Sequence, residues 1–205
     1  MQKTTVKSLF KSLFRRSYFL KNLLLFFLLF FGSHFIWKLV IHGNLHGHDI
    51  YLFSLNLTPL FYSISKFTAA VCWKVLTWFD LRPLILNDTI IHYLHPGGNA
   101  INIIWGCTGV KQMLMFLIVM IFTPGSALKK AAYIPAGLFL LWCYNIIRIC
   151  VIAYYTGIDA ANFDYWHTFF NAPYYALIFL LWVVWEEFFN RTPQNAKIPV
   201  IVKTA

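Results

Sequence analysis

The sequence predicts an all-α polytopic membrane protein: about four transmembrane helices, an interfacial amphipathic helix and a small extracytoplasmic β-hairpin. Three observations predict it. Of the 205 residues 60% are hydrophobic and only 12% charged, well outside the usual balance of a soluble domain. The apolar residues fall in long uninterrupted runs. The basic residues concentrate at the ends of those runs, so the net charge of +10 reads as membrane topology with an anionic inner leaflet as partner, and not as nucleic-acid binding.

Residues 1–21 read as a basic cytoplasmic tail, with Lys3, Lys7, Lys11, Arg15, Arg16 and Lys21 ahead of the first apolar run. Leu23–Ile41 is the first span. It is long for a signal-peptide core and is not followed by a clean cleavage site, so it reads as a retained anchor. His42–Asp49 is polar and Gly-rich, hence a loop. In Leu52–Phe79, Ser63, Lys66, Lys74 and Thr77 share roughly one helical face, as in a helix lying at the interface. Leu84–Leu86, Asn87-Asp88 and Thr89–Ile91 read as strand, turn, strand. His95–Asn99 reads as a further turn and Ala100–Trp105 as β-rich.

Thr108–Phe122 is a short span in which Lys111 snorkels. Thr123–Lys130 is a tight loop, Ala131–Tyr155 a span, Gly157–His167 a loop and Phe169–Phe189 the last span. Residues 22–189 then form a single membrane-embedded domain with its core in 83–189, and 190–205 a cytoplasmic tail. The loop at 157–167 carries Asp159 and Asp164 and no Lys or Arg, which places it outside. Both termini fall inside. The four cysteines, Cys72, Cys107, Cys143 and Cys150, lack the spacing of a disulfide framework.

On this topology Cys107, Arg148 and His167 share the outer face. Cys107 lies between Gly106 and Thr108-Gly109, where a helix start is expected to lower the thiol pKa and offer backbone N–H groups to an oxyanion. The bland alternative is an inert cysteine in a turn. Arg148 lies deep in an apolar run, a costly place for a charge, with Asn145 three residues earlier as a partner. An arginine snorkelling to the interface is the alternative. His167 is suited to proton transfer near neutral pH, with Asp164 to orient it; a belt histidine beside Trp166 is the alternative.

Cys107-Thr108-Gly109, Asn145-Ile146-Ile147-Arg148 and His167, in that order across consecutive spans, resemble the exosortase/archaeosortase family. The resemblance covers about residues 83–189. It implies a membrane cysteine protease/transpeptidase that acts on proteins bearing C-terminal membrane-anchored sorting signals. Cys107 would be the nucleophile, His167 the general acid/base and Arg148 the oxyanion or substrate-positioning group. Neither the acceptor nor a cofactor is implied. Ile104-Trp105-Gly106 stands where the family often has acidic or small residues, and Asn171-Ala172 where a glycine commonly follows the histidine. Two other functions fit parts of the chain: a non-catalytic membrane assembly subunit, and a metal-dependent enzyme using His42, His46, His48 and Asp49.

Overall fold

The computed structural model describes residues 3–43, 49–79, 81, 83–93 and 98–190. Helix α1, Lys3–Val40, carries the basic segment and the first apolar run in one continuous helix. At 1.5 Å per residue its 38 residues run about 57 Å. Its apolar part, Phe19–Val40, is long enough to cross a bilayer.

The chain then turns back on itself. β1 (Ile41–Gly43), β2 (Ile50–Leu52) and β3 (Leu55–Asn56) form a small antiparallel sheet. Ile41 pairs with Leu52 across a segment the sequence marks only as loop. Asn56 Oδ1 accepts from the Thr58 N–H, and Pro59 sits in the first turn of α2, Thr58–Trp78. Pro is favoured there because its missing N–H would have no helical partner. Phe61, Ser65, Thr68, Ala69, Cys72 and Leu76 form the buried stripe of α2, while Ser63, Lys66, Lys74 and Thr77 are exposed. That division is the expected amphipathic one, and α2 is not among the helices apolar enough to cross a membrane.

A second antiparallel sheet follows: β4 (Pro83–Leu86), β5 (Ile90–Tyr93) and β6 (Ala100–Asn102). The predicted hairpin is its β4–β5 pair, with Ile85 opposite Ile91. Asn87 and Asp88 both take left-handed backbone (φ 47° and 64°), a conformation that Asn and Asp tolerate best among non-glycine residues. Asp88 also pairs with Lys66 of α2 at 2.8 Å.

The remaining helices build the bundle. α3, Val110–Phe122, has 13 residues, about 20 Å, against a hydrocarbon core of about 30 Å. α4, Ala127–Ile158, and the stretch Asn162–Phe189 are long and apolar enough to cross; with α1 that makes three such helices among the described residues, and α3 is a shorter apolar one. The final stretch is not a uniform helix entered from a loop. It comprises α5 (Asn162–Phe169), a break at Phe170, α6 (Asn171–Val184) and a π-helical turn, Trp185–Phe189. The Tyr144 hydroxyl donates to the Phe170 carbonyl at 3.2 Å, satisfying a backbone group at the break. Expectations for residues 191–205 lie outside the described residues.

Two apolar cores result. One joins α2, α4 and the second sheet through Cys72, Leu76, Ile91, Ile103, Ile149 and Ala153. The other joins α1, α3, α4 and α6 through Phe26, Phe116, Leu141, Ile178 and Trp182. Helix α4 belongs to both, and the turn carrying Cys107 lies at their junction. The buried Glu186 in the π-helical turn accepts from Asn22 of α1 at 3.0 Å, so the bundle's far end is closed by a satisfied carboxylate.

Candidate active site

Cys107 ends a short 3-10 turn, Trp105–Cys107, that connects β6 to α3. The Cys107 N–H donates to Ile104 O and the Thr108 N–H to Trp105 O. The Thr108 hydroxyl donates to the same Trp105 carbonyl at 2.7 Å. Thr108 therefore closes the turn, and its N–H is not held free for an oxyanion as the sequence suggests. Gly109 follows with φ +75°, left-handed backbone that a side chain rarely adopts. A Cβ there would stand 2.6 Å from the Tyr174 hydroxyl and 2.9 Å from Asn145 Cγ. Both the conformation and the space demand glycine.

Asn145 is fully buried on α4. Its Nδ2 donates to the Cys107 carbonyl at 2.9 Å. It does not bond Arg148, its expected partner; it holds the cysteine turn instead. Arg148 is buried, and its Nη2 donates to Asn171 Oδ1 at 3.3 Å. The Arg148 Nε is buried with no hydrogen-bond partner among the described residues. A desolvated guanidinium with an unused donor is costly to maintain. It is also a ready stabiliser for negative charge developing nearby.

His167 lies in the last turn of α5, not at a loop-to-helix junction, and its ring stacks on Phe163 at 5.4 Å. Asp164 is exposed, and no hydrogen bond links it to His167 among the described residues. The stacking on Phe163 orients the imidazole in place of the carboxylate expected from the sequence.

These separate elements meet at one small cavity of about 20 Å³. Cys107, Arg148 and His167 line it together with Ile101, Ile103, Ile152 and Phe163. By this measure the volume admits about one water molecule. The walls are mostly apolar and the three polar side chains come from a turn, α4 and α5. Burial pushes the Cys107 thiol up from its ordinary pKa, while a backbone hydrogen bond at Ile104 and the Arg148 charge pull it down less. That is opposite to the activation expected from a helix start, because the Cys107 N–H is bonded and the desolvated pocket favours the neutral thiol. Burial thus favours the neutral thiol at this position.

The site residue that sequence reading passes over is Asn171. Its signal was an amide four residues after His167 in an otherwise apolar stretch, the spacing of one helical face. The alternative metal site rests on His42, which pairs with Tyr51 between β1 and β2, on His46 and His48, which lie outside the described residues, and on Asp49, which is exposed. No group of three or more metal-ligating side chains occurs among the described residues.

The family model described as transmembrane exosortase (Exosortase_EpsH) matches residues 9–185, well over half of the chain. No curated protein and no solved structure matches it.

Proposed function

The chain belongs to the transmembrane exosortase family, and from that premise we propose that it is a membrane cysteine protease/transpeptidase. It is a multi-pass membrane protein. In this reading it cleaves C-terminal sorting signals of exported proteins at the outer face of the cytoplasmic membrane. The short α3 crosses as a fourth span, both termini are cytoplasmic, and the Cys107 end of the bundle faces outward.

The observation that carries the proposal is the shared cavity of Cys107, Arg148 and His167. His167 takes the Cys107 proton as the sulfur attacks a substrate backbone carbonyl, so the buried thiol never has to ionise unaided. The carbonyl oxygen becomes an oxyanion, and Arg148 stabilises it through donors that include the unpartnered Nε. His167 then gives its proton to the leaving amine, the C–N bond breaks and a thioester remains on Cys107. In the second half His167 deprotonates the incoming amine, hydroxyl or water, which displaces sulfur and frees the processed protein. Asn145 and Gly109 hold the cysteine turn in place; Asn171 positions the guanidinium.

The test is to incubate the purified full-length protein with a cargo peptide bearing its membrane segment. Acid quench and mass spectrometry should then find the cleaved peptide as a thioester on Cys107. Continued cargo processing by Cys107→Ala, with no acyl adduct on the wild type, would falsify the assignment.

A further inference from the structure

The end of the bundle that carries Cys107 also holds two lysines and a histidine, with no anion between them among the described residues. His34 and Lys38 sit one turn apart on α1, and α1 packs beside α3, whose first turn contains Lys111. The three interact electrostatically with one another: Lys111 with Lys38, and His34 with both lysines. None of them makes a hydrogen bond or ion pair within the described residues. Among the described residues no carboxylate contributes to the charge environment of His34 or Lys111.

This arrangement is unfavourable as it stands. Lys38 is exposed and can reach water, but His34 and Lys111 are only half exposed. Placing one lysine beside another costs Coulomb energy that grows as water is excluded. Lys111 also occupies the first turn of a 13-residue helix, where the backbone dipole is positive and disfavours a cation. Two lysines and a helix start raise the same local potential, and the His34 imidazole stands beside them as a further hydrogen-bonding group. Other lysines of the chain do find partners: Lys66 meets Asp88, and Lys129 and Lys130 bond backbone carbonyls at the opposite end of α3 and beyond.

We propose that His34, Lys38 and Lys111 form a binding site for the phosphate group of an anionic phospholipid, seated between α1 and α3. The surface beside the cations identifies the kind of molecule that carries the phosphate. Phe31 and Phe35 on α1 and Leu114 on α3 are exposed within one or two turns of the trio. A ligand lying there meets positive charge at one end and an apolar stripe along its length, the pattern of a headgroup with acyl chains. Lys111 is four residues from Cys107, so the bound lipid stands at the margin of the site while touching none of its reacting groups.

The test uses the full-length protein in nanodiscs of mixed phosphatidylcholine and phosphatidylglycerol, with retained lipid measured by native mass spectrometry after extraction. The wild type should retain phosphatidylglycerol over phosphatidylcholine by roughly tenfold or more, given the attraction of basic residues for anionic lipid. The Lys38→Gln/Lys111→Gln double variant should lose that preference. Lys38→Arg/Lys111→Arg should keep it, and so should Lys74→Gln, which neutralises an exposed lysine on α2. Equal enrichment in the glutamine double variant overturns the site. In a parallel arm, inorganic phosphate is added to lipid-stripped protein in neutral detergent. A Tm rise with phosphate that matches the one with phosphatidylglycerol, and no retained lipid, overturns the phospholipid assignment in favour of a small free anion.

Discussion

The Asn145 amide donates to the Cys107 carbonyl at 2.9 Å, bridging 38 residues of sequence to pin the cysteine turn onto α4. The Asn145 side chain is fully buried, so water has poor access to its end of the bond. Asn145→Ala should cost about 1–3 kcal/mol, the penalty for leaving a buried carbonyl unpaired. Thioester formation should fall with it. Thermal unfolding alongside single-turnover acylation checks both, and an unchanged Tm would mean that the turn holds without this bond.

Gly109 should tolerate no side chain. Gly109→Ala places a Cβ in left-handed backbone, costing about 1–2 kcal/mol before any contact is counted, and drives it against the Tyr174 hydroxyl. Removing that hydroxyl relieves the nearest contact. Gly109→Ala/Tyr174→Phe should therefore be more stable than Gly109→Ala alone, though Asn145 still crowds the Cβ. A double-mutant cycle on Tm measures the coupling.

The thiol should be slow at neutral pH without substrate. Because burial raises the Cys107 pKa above the ordinary thiol range, its alkylation by a small reagent should keep accelerating as pH rises past that range. The Arg148 charge opposes the shift. Arg148→Gln should raise the pKa further and slow alkylation at any fixed pH below it. Stopped-flow alkylation across pH, followed on Cys107 by peptide mapping, reads both trends; a plateau near neutrality would contradict them.

Asn171→Ala should lower kcat more than it raises KM. Its Oδ1 accepts from Arg148 Nη2 at 3.3 Å, and it does not line the cavity. A guanidinium displaced by about 1 Å from an oxyanion can cost on the order of a hundredfold in rate. Asn171→Gln, which keeps the amide at a longer reach, should restore part of the loss. An equal change in KM and kcat would point to a general packing defect.

Local and periodic features were legible in the sequence. Asn87-Asp88 between two β-rich triplets marks the β4–β5 turn, and the polar face of α2 follows from Ser63, Lys66, Lys74 and Thr77. The sequence puts Cys107, Arg148 and His167 at one membrane face; that all three line a single cavity comes from the packing of the turn, α4 and α5. Partnerships were not legible. Asn145 shares a helix face with Arg148, so spacing pairs them, yet the amide turns to a carbonyl that tertiary packing delivers from the Cys107 turn. Thr108 is polar at a helix start, but its N–H closes a 3-10 turn one residue before Gly109 lets α3 begin. The pairing of Ile41–Gly43 with Ile50–Leu52 spans a polar loop with no hairpin signal between them. His167 falls inside α5 because Asn162–Phe169 forms its own helix, where composition alone suggests a loop.

The cavity that joins the three side chains has room for about one water molecule. Under the proposed chemistry, the fate of the acyl-enzyme then becomes a question of volume. A thioester formed in so small a space leaves little room beside it, and whichever nucleophile enters that room claims the acyl group. Trimming the wall at Phe163 or Ile152 should admit more solvent and divert acyl groups from transfer to hydrolysis. The ratio of transferred to hydrolysed product would thus be set by the walls of the chamber and not by the reactivity of its sulfur.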